Sequence, residues 1–303
     1  MKKVLITGAR GFVGRHCIPI LLKKGYQVHA ITSKGDLPAS DAEGLFWHSV
    51  DLLAHGEIDH IVSKVGPTHL LHFAWYTEHG LFWHSERNME WVIASLRLLQ
   101  AFAGNNGQRA VFVGTCAEYD WRYGYCNERL TPLEPSTLYG VSKNALQKMF
   151  HQYSRQKEIS QAWGRIFFLY GPFEHENRLI PYVIKSLIND IPAECTDGHQ
   201  VRDFLHVEDV ADAFAALLDS DIQGPVNIAS GEPVSIRHIV EKTGALIGKP
   251  GLIRLGARSS PVDEPQLILA DTNRLKREMH WSPKHDLKTG LASTIHWFRE
   301  MNP

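Results

Sequence analysis

Tyr139 and Lys143 stand four residues apart in the run Tyr-Gly-Val-Ser-Lys, a spacing that puts both side chains on one face of a helix. Such a pair can act as a proton donor. A free phenol ionises near pH 10, and an adjacent ammonium favours the phenolate. Bringing that pKa to about 7 requires roughly 4 kcal/mol of differential interaction. Thr115 stands at the end of an apolar, strand-like run between the chain's first residues and this pair.

A second constellation opens the chain. Thr7-Gly8-Ala9-Arg10-Gly11-Phe12-Val13-Gly14 follows a strand-like run and begins a helical pattern. Glycines at 8, 11 and 14 permit a tight turn and a close backbone approach, so that a pyrophosphate can sit on the helix N-terminus. The loop, with Arg10, Phe12 and Val13, reads as a dinucleotide site. After the second strand, where an acid would bind a ribose 2′-hydroxyl, the chain has Thr32-Ser33-Lys34. Two hydroxyls and an ammonium suit a 2′-phosphate, so NADP(H) is expected, with NAD(H) the alternative.

The elements that must position these residues follow from periodicity. Short apolar runs at Val4–Thr7, Gln27–Ile31, Leu45–Val50, Thr68–His72, Ala110–Val113 and Ala162–Phe168 alternate with helical patterns near Val13–Lys24, His84–Ala103 and Thr137–Arg155. This is the pattern of a parallel sheet with crossover helices. Beyond Gly171-Pro172 the segments shorten, with helical patterns at Leu179–Asn189, Glu208–Leu218, Ser235–Ile247 and Leu287–Phe298. The expected architecture is an α/β, Rossmann-type doubly wound parallel sheet with a smaller C-terminal α/β substrate lobe. A dinucleotide domain over residues 1–170, with contributions from 203–228, would interleave with a substrate lobe over 171–303.

Composition narrows the function classes. A net charge of −1 implies no basic face for nucleic acid. The apolar runs are of strand length, so no membrane span is expected, and no signal peptide is expected ahead of the first strand. Cys17, Cys116, Cys126 and Cys195 are scattered without a Cys-x-x-Cys pair and read as reduced thiols of a cytoplasmic protein. Although the chain has 17 histidines, none falls in a His-Glu-x-x-His or similar spacing, and no metal is expected.

With Gly8, Gly11, Gly14, Thr115, Tyr139 and Lys143 in this order, the chain resembles the extended short-chain dehydrogenase/reductase superfamily, in its branch of nucleotide-sugar epimerases, dehydratases and reductases. Further matches are Asp51-Leu52, His72-Phe73-Ala74, Asn88, Arg165, Tyr170-Gly171-Pro172, Arg202 to Val210 and Asn227 to Glu232. The resemblance implies Tyr139 as general acid/base, Lys143 on the nicotinamide ribose and lowering the Tyr139 pKa, and Thr115 on the substrate oxygen. It places Asp51 and Leu52 at the adenine, and Phe73, Ala74, Trp75 and Asn88 along the cofactor. It also implies a nucleotide-diphosphate sugar as substrate and a homodimer that pairs the Tyr139 helix and the helix bearing Trp91, Ile93, Leu98, Leu99 and Phe102, a stripe read as core and dimer contact.

Departures refine the expectation. Dehydratases of this kind carry Asp-Glu directly after the Ser/Thr, whereas this chain has Cys116-Ala117, with Glu118 one step later and directed elsewhere. Dehydration is therefore disfavoured. Phe168 stands where many relatives have a substrate-touching Asn, which fits a more apolar sugar such as a 6-deoxyhexose. Arg202 and Arg258 are candidates for the diphosphate, against a salt bridge of Arg202 to Asp203 or Asp209. Trp75, Tyr76, Trp121, Tyr123 and Tyr125 could stack on sugar or simply pack. The leading expectation is NADPH-dependent reduction of the C4 ketone of a nucleotide-activated 4-keto-6-deoxyhexose. The alternative is an epimerase that retains NAD. A dinucleotide-sensing regulator is a third reading, against which the retained Tyr139 and Lys143 argue.

Overall fold

The computed structural model describes residues 2–33, 35, 37, 42–260 and 264–301. Its first part runs β1 (Lys3–Thr7), α1 (Gly14–Lys23), β2 (Gln27–Thr32), β3 (Leu45–Ser49), α2 (Glu57–Val65), β4 (His69–His72), α3 (Arg87–Gly104) and β5 (Arg109–Thr115). After the short β6 (Tyr125–Cys126) come α4 (Leu138–Gln156), β7 (Ser160–Ile166) and β8 (Phe168–Tyr170). The remainder is α5 (Leu179–Ile188), β9 (Ala193–Glu194), β10 (Val201–His206), α6 (Val207–Asp219), β11 (Gly224–Ile228), β12 (Pro233–Ser235), α7 (Ile236–Ile247), β13 (Ile253–Arg254), β14 (Leu267–Ala270) and α8 (Leu287–Met301).

Seven strands form one parallel sheet in the order β11-β7-β5-β4-β1-β2-β3. Alternation within β1 shows why it is covered on both sides. Val4 and Ile6 join a core with residues of α1 and α6, while Leu5 joins a separate core with α2, α3 and α4. β1 and β4 are neighbours although they are not consecutive, so connections leave in opposite directions there. That switch point opens a crevice at the carboxyl ends of the strands. Arg109 is buried at the start of β5 and donates to the carbonyls of Leu217, Leu218 and Ile222, where a cation complements the C-terminal end of α6.

A second sheet runs β12-β10-β14-β6, with β8 also paired to β10. Helices α5, α7 and α8 share a further core with Tyr170 and Cys195. The sequence pattern merged β7 and β8 into one strand over 162–168. The structure separates them at Phe167, and β8 leaves the first sheet to pair with β10. Periodicity also passed over α2, which is only 9 residues long. Strand β11 returns to the edge of the seven-stranded sheet after β10 has served in the second.

Candidate active site

The glycine loop lies at the switch point. Gly8 has φ +63°, and a Cβ there would stand 2.8 Å from the Ala74 nitrogen and 2.9 Å from the Phe73 carbonyl carbon. A Cβ on Gly14 would collide with the Gly8 carbonyl oxygen. The loop is thus pressed between the end of β4 and the first turn of α1, leaving the helix N-terminus open to a pyrophosphate. The ends of β1 and β4 are tied together. The Ala74 N–H donates to the Thr7 hydroxyl at 3.2 Å, and Thr7 also bonds His72 Nδ1 at 2.6 Å. Burial holds His72 at a pKa of about 3, so it is a neutral structural imidazole.

The other expected cofactor residues fall in distinct settings. Thr32 is buried, Ser33 is exposed, and Lys34 lies outside the described residues. Asp51 is exposed and its carboxylate accepts from the Leu53 N–H, while Leu52 is buried in the core beneath α2. Asn88 is fully buried and its amide is fully engaged. It donates to the carbonyls of Phe82 and Ser85, and it accepts from Trp75 Nε1 at 2.8 Å. It works as a clasp that sets the Trp75 ring and the loop up to α3.

Thr115 closes β5 in extended conformation and begins a single 3₁₀ turn. Its hydroxyl accepts from the Ala117 N–H and lies near enough to the Tyr139 phenol to favour the ionised form. Tyr139 sits in the first turn of α4. That helix is capped by Thr137, whose hydroxyl accepts from the Gly140 N–H, and the Tyr139 N–H donates to the Trp83 carbonyl. One turn further on, Lys143 is 3% exposed and donates to the Val113 carbonyl at 2.9 Å.

The electrostatics correct one expectation. Burial pushes the Tyr139 phenol up rather than down, opposed first by Thr115 and more weakly by Arg178. Lys143 is the group brought into the neutral range. Burial lowers it to about 7, against the pull of Glu118. The low-dielectric pocket penalises both charged forms, and this outweighs the attraction assumed between ammonium and phenolate.

Glu118 has no freedom to act as an acid. Its carboxylate pairs with Arg165 at 2.7 Å and accepts from Trp163 Nε1 and the Thr115 N–H, at 0% exposure. Cys116 and Ala117, where dehydratases carry Asp-Glu, are buried, and burial raises the Cys116 thiol. Arg202 is also buried, and its salt-bridge partner is Glu264 at 2.9 Å rather than Asp203 or Asp209. Its guanidinium lies 5.4 Å from the Phe168 ring. Asp203 instead accepts from the Ser230 and Gly231 N–H groups, tying β10 to the loop after β11. Arg258 is exposed, stacked 4.6 Å over the Tyr182 ring and donating to its hydroxyl.

Three residues of the site had not been singled out. Phe82 and Trp83 set their rings edge-on to Tyr139 at 4.9 and 5.6 Å, and Trp83 also meets Trp121 at 6.2 Å. Arg178 reaches the same wall, 5.8 Å from the Phe82 ring. A pair of bulky aromatics in a His- and Gly-bearing loop outside any periodic element was the available signal. Tyr123 and Tyr125 are exposed.

Comparisons with known proteins bear on the family and the fold. The model of the NAD dependent epimerase/dehydratase family matches residues 4–229. The chain is 28% identical to CDP-abequose synthase of Salmonella typhimurium, over 96% of this chain and 97% of the relative. It is 26% identical to UDP-glucose 4-epimerase of Corynebacterium glutamicum, over 95% of this chain and 93% of the relative. The solved UDP-glucose 4-epimerase of Thermus thermophilus, in complex with NAD, shares the fold with a TM-score of 0.87, at 22% identity and covering 98% of this chain and 99% of that one.

Proposed function

The chain belongs to the NAD dependent epimerase/dehydratase family, and from that membership and its site we propose that it is an NAD-dependent epimerase acting at C4 of a nucleotide-activated hexose. One observation carries this reading. Thr115 ends β5 beside the Tyr139 phenol, whose ionised form it favours, with Lys143 one turn along α4, at the carboxyl end of the sheet that also bears the glycine loop. When bound, the nicotinamide would supply the acceptor and donor of hydride. The chain supplies the rest. Gly8, Gly11 and Gly14 leave the α1 N-terminus open to a pyrophosphate, and Asp51, Leu52 and the segment Phe73 to Trp75 would flank the dinucleotide. Tyr139 would take the proton of the C4 hydroxyl as the phenolate, a form that burial disfavours and that the positive charge of an oxidised nicotinamide would favour, and return it to the re-formed alcohol. Thr115 holds the same oxygen, and Lys143 supports the ribose. Arg202 and Arg258 are candidates for the diphosphate.

The test is to identify the dinucleotide that copurifies and to incubate the protein with UDP-, dTDP- and CDP-hexoses without added cofactor. Bound NAD and interconversion of C4 epimers support the reading. Protein that turns over only with a supplied reduced nicotinamide sinks it.

A second reading, net reduction of a 4-keto-6-deoxyhexose, draws on the apolar wall. Phe82, Trp83 and Phe168 offer carbon surface where a hexose would present hydroxyls. NADP(H) preference belongs to this reading, and parallel titration of NADPH and NADH separates the two. We further propose a homodimer through α3 and α4, where Met89, Ile93, Val141 and Met149 are exposed. Size-exclusion chromatography with light scattering tests it. No helix among the described residues is long and apolar enough to cross a membrane.

A further inference from the structure

A cavity of about 600 Å³ lies between α1 and the first turn of α6, lined in part by His16, Lys24, Glu208, Asp209, Lys284 and His285. None of these belongs to the Tyr139 site. Two of the lining residues, Glu208 and His285, meet a third side chain, the buried His206, from two distant stretches of chain. His206, Glu208 and His285 each offer a ligand atom, and the three atoms lie within 4.8 Å of one another. The His206 and His285 rings are 4.3 Å apart, centroid to centroid.

Two independent features point to a ligand rather than to packing. First, His206 is 1% exposed, and neither of its ring nitrogens has a hydrogen-bond partner. A buried imidazole left unpaired costs free energy unless something binds it. Second, His285 is held in one orientation. Asp209 accepts from the Lys284 and His285 N–H groups at 3.0 Å each and meets His285 Nδ1 at 3.1 Å. That contact assigns the proton to Nδ1 and turns the lone pair of Nε2 towards Glu208, 3.5 Å away. A carboxylate behind one nitrogen of an imidazole is the arrangement that orients histidine ligands at metal centres.

We propose that His206, Glu208 and His285 form a site for a zinc-class divalent cation. Two imidazoles and a carboxylate match the donor preference of zinc, with the cavity supplying water as fourth ligand. Ligand atoms around a tetrahedral zinc stand about 3.4 Å apart, so the set must tighten. Glu208, which is exposed, can make that adjustment. A simple His285–Glu208 ion pair would leave His206 orphaned. The cation would clip the β10–α6 junction to the segment preceding α8. Sequence spacing gave no sign of it, because residues 206 and 208 are only two apart and 285 is remote.

The test uses the full chain, freed of metal with EDTA and desalted, then titrated with zinc by calorimetry and with cobalt by visible absorption. One equivalent should bind at micromolar concentration or tighter, with the intense d–d band of four-coordinate cobalt, and the melting temperature should rise by roughly 5 °C. Glu208→Gln and His285→Gln, each checked for native circular dichroism, should weaken binding at least tenfold. Because the other histidines can take up zinc adventitiously, undiminished binding in both variants overturns the site. So does the absence of saturable one-to-one binding in the native chain. If His285→Gln fails to fold, Glu208→Gln alone decides, since its side chain is exposed.

Discussion

Lys143 holds its ammonium 3.7 Å from the centroid of the Trp75 ring and 2.9 Å from the Val113 carbonyl oxygen. The indole is fixed in turn by Asn88, so one buried amide sets the platform on which the cation rests. A ring face and a carbonyl compensate a buried charge only in part. That is why burial lowers the Lys143 pKa to about 7.

This pKa makes a prediction about stability. Between pH 7 and 10.5 the unfolded chain holds the Lys143 proton and the folded chain has released it. The unfolded state therefore binds more protons, and stability rises with pH across that window. Urea unfolding of cofactor-free protein at pH 7 and pH 9 should show the native chain gaining about 2 kcal/mol relative to Lys143→Met. A parallel pH dependence in the two proteins would refute the burial argument.

Tyr139→Phe should lower turnover by about 10³-fold with KM changed little, since the variant loses the proton donor and keeps the ring contacts to Phe82 and Trp83. Thr115→Val should cost about 10²-fold, as for loss of one donor at a reacting oxygen. Steady-state kinetics on a substrate identified by the hexose screen checks both. A Tyr139→Phe enzyme of near-native turnover would remove Tyr139 from its assigned role.

The buried Glu118–Arg165 pair separates structure from chemistry. Arg165→Met strands a carboxylate with 0% exposure and should destabilise the fold by about 3–5 kcal/mol. The double variant Glu118→Gln/Arg165→Met should recover part of that loss, measured by urea unfolding as a double-mutant cycle.

Gly8→Ala should weaken dinucleotide binding at least tenfold by calorimetry. Its positive φ costs an alanine about 1–2 kcal/mol, and the obstructing atoms at 73 and 74 are backbone, which cannot swing aside as a side chain would. Gly25→Ala is the control. It shares a positive φ but has open space around it, so it should leave dinucleotide affinity unchanged.

The sequence by itself determined what is local. A glycine turn between a strand and a helix is written in consecutive residues, and the Tyr139–Lys143 face follows from a repeat of 3.6 residues per turn. Alternating β and α patterns with apolar strands were enough to expect a covered parallel sheet. Tertiary structure decided what joins distant segments. Glu118 meets Arg165, Arg202 meets Glu264, and His206 meets His285 across 47, 62 and 79 residues (165 − 118, 264 − 202, 285 − 206). No periodicity encodes such pairings, because they depend on where strands that leave one sheet re-enter another. The Tyr139 pKa belongs to the same class. Charges adjacent in sequence suggested a lowered value, but the desolvation that outweighs them is a property of the folded pocket.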